Sequence, residues 1–218
     1  MSDPSELDLA PLFQAVEDVL LENRELLNHS DPFNGNHGDH MVEIFHLAVQ
    51  AARDKSGSGF ADAMQYAADL LAESRDNGSA QVYGRGLAQL AGQFRKYGLE
   101  LEDLVPYVRS VLSEDKNQAA KNGQTKGGGD VLKALLGGLA GWQQVETGNQ
   151  PPENPLDIGY IFELGIAYMQ AKQRGGSRAQ VIADAAASAS PLSGVPHRCQ
   201  SGKLAIQTLL EAMQQTDS

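Results

Sequence analysis

Apolar residues recur at three- and four-residue spacing along most of this chain, the period an α-helix needs to bury one face. Residues 7–27 carry Leu9, Leu12, Phe13, Val16, Val19 and Leu20 at this spacing, and residues 41–52 carry Met41, Ile44, Phe45 and Ala48. Residues 59–74 align Phe60, Met64, Ala67, Ala68 and Leu71, and residues 79–97 align Val82, Leu87, Leu90, Ala91 and Phe94. A shorter helix is expected over 101–112, with Pro106 marking a kink or a first turn. A polar, Gly-rich loop follows over 113–129. Helices are then expected over 130–145, with Asp130 as N-cap, and over 156–173, closed by Gly175-Gly176. The Pro/Asn-rich stretch 148–155 separates them. Two further helices are expected, the Ala-rich 177–189 and a last amphipathic one over 203–213, joined by a loop at 191–202. Val and Ile are sparse and Ala is abundant, which favours helix over strand. The expected fold is all-α: one domain over residues 1–218, an antiparallel bundle of about eight helices joined by short loops.

The charge narrows the function classes. A net charge of -11, with no cluster of Lys and Arg, argues against binding the phosphate backbone of nucleic acid and against an anionic membrane surface. No apolar run approaches the roughly 20 residues of a membrane span, and the acidic start lacks the pattern of a signal peptide. Cys199 is the one cysteine, so no internal disulfide forms and a reducing, cytoplasmic setting is expected. His197 and Arg198 adjoin it, but chain neighbours seldom have the geometry of a nucleophile and its base, so the thiol reads as incidental.

Candidate chemistry concentrates between the first two apolar runs. Residues 27–41 read Leu-Asn-His-Ser-Asp-Pro-Phe-Asn-Gly-Asn-His-Gly-Asp-His-Met and hold three of the five histidines. His29, Asp31, Asn34, Asn36 and His37 precede a helix that begins with Asp39, His40 and Glu43; His40 and Glu43 share one face. These side chains suit a metal or a phosphate. Asn-Gly and His-Gly are equally turn dipeptides, and Asp39 suits a helix N-terminus. A second tight turn, Asp76-Asn77-Gly78-Ser79-Ala80, enters a helix; its N–H groups and Ser79 hydroxyl suit an anion, or Ser79 simply caps the helix. Lys126-Gly127-Gly128-Gly129-Asp130 does not fit a Walker A loop and reads as a linker. His197 and Arg198, in the loop 191–202, either meet an anion or are solvated.

Together these elements resemble the nucleotide-binding L subunit, or domain, of the dihydroxyacetone (glycerone) kinases. The family loop runs Asp-Gly-Asp-His-Gly, a short gap, then Met. Asn34-Gly35-Asn36-His37-Gly38-Asp39-His40-Met41 matches it position for position, with both aspartates replaced by asparagine. A third family aspartate falls at His29, with Asp31 close by. The family turn Ser-Gly-Pro-Leu-Tyr-Gly corresponds to Ser79-Ala80-Gln81-Val82-Tyr83-Gly84. Its later Gly-Asp-Lys-Thr-Met-Leu-Asp-Ala-Leu segment is echoed at Gly129, Asp130, Leu132, Ala134 and Leu135, with Lys133 at the second aspartate. Its Asp-Pro-Gly-Ala falls at Gln200-Ser201-Gly202-Lys203. The resemblance implies an eight-helix antiparallel barrel and ATP or ADP with Mg²⁺ at its open end. It implies a nucleotide near Asn34, Asn36, His37, Gly38, Gly78, Ser79, Ala80 and Gly129, and metal at Asn34, Asn36 and His29 with Asp31 beside it; Asp39 and His40 join the metal candidates by their own chemistry. A partner subunit carrying the substrate is implied as well.

The replaced carboxylates bear on that expectation. Mg²⁺ is a hard cation that favours carboxylate oxygen. At about 4 Å and an effective dielectric near 20, each lost charge removes roughly 4 kcal/mol of attraction per charge on the ion. Three readings follow: a phosphotransfer component binding Mg·nucleotide; a binding or regulatory module that kept the fold and lost the site; or a single site for another divalent metal, such as Zn²⁺ or Mn²⁺, built from His29, Asp31, His37, Asp39 and His40.

Overall fold

The computed structural model describes residues 8–112, 168–189 and 194–215, and all regular structure among them is helical. The helices are α1 (Leu9–Glu22), α2 (Arg24–His29), α3 (His37–Asp54), α4 (Phe60–Glu73), α5 (Gly78–Tyr97), α6 (Leu101–Leu112), α7 (Arg178–Ala189) and α8 (Pro196–Gln215). Residues 168–174 are also helical and stop at Gly175 and Gly176, whose φ of 81° and 117° no helix accommodates. The protein is thus an all-α bundle of about eight helices. The helix expected over 130–145, most of that over 156–173, the loop 113–129 and Gly129 lie outside the described residues.

Several boundaries differ from the periodicity, each for a local reason. The apolar run 7–27 is two helices, because Asn23 turns its side-chain Nδ2 back onto the carbonyl of Val19 at 2.8 Å. Helix α3 begins at His37 rather than Met41, so the second half of the polar loop is helical. Helix α8 begins at Pro196, inside the stretch 191–202 expected to be loop. Proline suits the first helical position, where its missing N–H has no intrahelical partner to lose. Helix α6 continues through Pro106.

Helix α1 packs on α3 and α8, α4 packs on α5 and α3, α7 packs on α8, and α6 also meets α8. Leu12, Val16, Leu20, Ile44, Met64, Leu71, Leu90, Phe94, Ile206 and Met213 fill the shared core. The predicted apolar faces of α1, α3, α4 and α5 supply most of it. Among the described residues, no helix is long and apolar enough to cross a membrane.

Candidate functional site

The first turn of α3 is held by α2. Asn28 Oδ1 accepts the N–H of Gly38 at 2.7 Å and of Asp39 at 3.2 Å, while its Nδ2 donates to Asp39 Oδ2 at 2.9 Å. The side chain of Asn36, the residue before the helix, makes no capping bond. Asn28 therefore does the capping from the preceding helix. This requires close approach: a Cβ on Gly38 would lie 2.2 Å from the backbone oxygen of Arg24. Glycine at 38 is what lets the two backbones meet.

Between α2 and α3, Asp31 organises the loop from inside. It is buried, and its Oδ1 accepts the N–H of Phe33 at 3.1 Å. Burial pushes its carboxyl up. The N–H groups of Phe33, Asn36 and Asn34 and the proximity of His197 outweigh that and hold it below its ordinary value.

Helix α8 brings the third group of residues. His37 Nε2 lies 2.9 Å from Ser201 Oγ, and both side chains are buried. The Ser201 hydroxyl donates to the Arg198 carbonyl at 3.1 Å, which leaves its oxygen to accept from His37. Tyr83, from α5, is buried beside Ser201 and Arg198. Burial raises the Tyr83 phenol above its ordinary value, against the opposing influence of Arg198 and Ser201. Burial likewise pushes His37 down to about 4, helped by the charges of His197, Arg198 and His40 and resisted by Asp31. The rings of His37 and His197 meet edge to face, 4.7 Å between centroids. His197 Nε2 is 3.9 Å from Asp31 Oδ1, beyond hydrogen-bond range. Two polar atoms of this region, His197 Nδ1 and Asn36 Oδ1, are buried without a hydrogen-bond partner among the described residues.

Asn77 ties α5 to α3. Its Oδ1 accepts the N–H of Ala80 at 3.0 Å, and its Nδ2 donates to the His40 carbonyl at 3.1 Å and to Glu43 Oε2 at 3.0 Å. Asn77, not Ser79, is thus the cap of α5; Ser79 is buried in the first turn. Asn77 ties the start of α5 to α3, and the His37–Ser201 pair ties the start of α3 to α8. The N-terminal end of a helix carries partial positive charge; here Asn28 Oδ1 and Asn77 Oδ1 already accept the N–H groups of Gly38, Asp39 and Ala80.

The residues expected from the sequence do not all converge here. His37, Gly38, Ser79 and Ala80 are buried in the joined helix ends, and Gly78 is exposed beside them. Asn34 and His29 are exposed. Asp39 turns away to Asn28 and to Arg24, whose Nε is 3.6 Å distant. His29, Asp31, Asp39 and His40 therefore do not form one metal set, and no group of three or more His, Cys, Asp or Glu suited to a metal occurs among the described residues. A pair of Mg²⁺ ions does not fit these side chains: Asp31 is engaged with loop N–H groups, Asp39 with Asn28 and Arg24, and positions 34 and 36 are amides.

Asn28 and Ser201 were not singled out as site residues from the sequence. Ser201 had a usable signal: Pro196 is a helix-start residue, and from it His197 and Ser201 fall at i and i+4 on one face. Cys199 is half-buried; burial and then the Asp184 carboxylate raise its thiol, against Lys203, which disfavours the reactive thiolate. No protein-family model, curated protein or solved structure matches this chain.

Proposed function

We propose that the joined ends of α3, α5 and α8 bind the phosphate groups of a nucleotide-type small molecule. In this reading the chain is a divergent relative of the L subunit of the dihydroxyacetone kinases. It serves as a binding or regulatory module without the carboxylate set that two Mg²⁺ ions need. The observation that carries the reading is the stitching of three helix N-termini by Asn77, at 3.1 Å from the His40 carbonyl, and by His37, at 2.9 Å from Ser201. The partial positive charge at three helix N-termini would attract an anion without a metal. Arg198, in the first turn of α8, adds a guanidinium whose charge already acts on His37 and Tyr83. A partner subunit carrying a substrate belongs to the alternative, phosphotransferase reading.

Thermal melting with ADP and ATP, each with and without Mg²⁺, tests this. Nucleotide at 100 times its Kd adds about 2.7 kcal/mol, several degrees in a protein of this size. The expected result is a rise in Tm that does not require Mg²⁺. No rise at millimolar nucleotide sinks the proposal. Steady ATP turnover by the purified chain, lost in Asn36→Ala, restores the phosphotransferase reading instead.

A further inference from the structure

Phe33 is the residue in this region that the reading above leaves unexplained. Its side chain is 82% exposed, whereas Phe13, Phe45, Phe60 and Phe94 are buried in the core. Its ring stands beside the candidate site, in contact with His197. Its place is imposed from two sides. The backbone N–H is held by Asp31 Oδ1 at 3.1 Å, directly after Pro32, whose own φ is fixed by its ring. The ring then meets His197 edge to face, 6.5 Å between centroids at 71°. His197 in turn meets His37 at 4.7 Å. Three aromatic rings thus run from the buried interior to solvent, ending in a bare phenyl face. The middle ring keeps its Nδ1 buried with no hydrogen-bond partner among the described residues.

We propose that Phe33 is the platform on which the base of a nucleoside phosphate stacks, while its phosphates lie toward the helix ends of α3, α5 and α8. This rests on the nucleotide-binding reading above and adds the residue that holds the base. A phenyl face accepts any base, because every base has a π-face, so the platform confers affinity for nucleosides without choosing among them. A single ring at the rim of a polar cluster is suited to one base. A protein interface needs an apolar area on the order of 800 Å² per partner, which one phenyl does not approach.

Calorimetric titration of the full chain with ADP and with inorganic tripolyphosphate tests it, using the native sequence, Phe33→Ala and Phe33→Tyr. Phe33→Ala is expected to weaken ADP about tenfold, the scale of one base–aromatic stack. It should leave tripolyphosphate within about twofold, which also shows that the variant is folded. Phe33→Tyr should keep ADP binding. Unchanged ADP affinity in Phe33→Ala, or equal loss of both ligands, overturns the platform. Native protein that binds tripolyphosphate as tightly as ADP overturns the platform alone. Native protein that binds neither overturns the phosphate reading and the platform together. A change in oligomeric state of Phe33→Ala by light scattering assigns the ring to a protein contact and overturns the ligand role.

Discussion

His37 Nε2 and Ser201 Oγ lie 2.9 Å apart although 164 positions separate them in the chain. The bond joins the first turn of α3 to α8 inside the protein, where an unmade partner leaves a buried polar group without water. His37→Ala and Ser201→Ala should each lower stability by about 1–3 kcal/mol. Thermal melting should show a drop of roughly 2–4 °C per kcal/mol. The double variant should fall short of the sum, because each single change already breaks the shared bond. Additive losses count against the pair acting as a unit.

The same histidine sets a pH dependence. His37 is pushed from 6.5 to about 4 by burial, so the folded protein keeps it neutral over a range in which the unfolded chain takes up a proton. Its contribution is complete above pH 6.5, falls as the pH drops through the interval to about 4, and is gone below that. With partial solvent screening the loss amounts to about 2 kcal/mol. Tm measured from pH 7 to pH 4 should decline over this window, and His37→Gln should flatten the decline. Asp31, held below its ordinary carboxyl value, adds its own loss at lower pH.

Gly38 and Gly78 both open helices but should respond oppositely to alanine. A Cβ at 38 meets the Arg24 carbonyl oxygen at 2.2 Å and Asn28 Oδ1 at 2.9 Å, and the first of these belongs to backbone that cannot swing aside. A Cβ at 78 meets nothing within 4 Å. Gly38→Ala should cost about 3 kcal/mol or prevent folding. Gly78→Ala should be neutral or raise stability by about 0.5 kcal/mol. Denaturant titration of the two variants decides, and a well-folded Gly38→Ala of native stability refutes the close α2–α3 approach.

Capping separates Asn77 from Ser79. Asn77→Ala removes the bond to Ala80 N and both ties to α3, and should cost about 2 kcal/mol. Asn77→Asp keeps the capping oxygen but loses the Nδ2 donor and sets a carboxylate against Glu43, so it should recover only part. Ser79→Ala should cost less than either, since Ser79 does not cap α5. A larger loss at Ser79 than at Asn77 in urea unfolding overturns this ordering.

The residues that read correctly from the sequence are those whose role is local. Leu12, Val16, Ile44, Met64, Leu90 and Phe94 face the core as their spacing predicts, because helical periodicity is a property of the chain's own next turn. Gly175 and Gly176 end a helix for the same reason. The readings that changed depend on partners far along the chain. Asp39 and His40 look like members of one ligand set in sequence, yet Asn28 and Arg24 take the first, and Asn77 meets the backbone of the second.

The sequence by itself determined an all-α bundle and the residues on its buried faces, since helix formation and amphipathic burial follow from spacing over a few turns. Only the tertiary structure decided which polar residues meet. Asn28 on Gly38, Asn77 on His40 and Ser201 on His37 are contacts 10, 37 and 164 positions apart. No local period encodes such distances. They exist because burying the apolar faces brings the starts of α3, α5 and α8 together, and buried polar groups must then find one another.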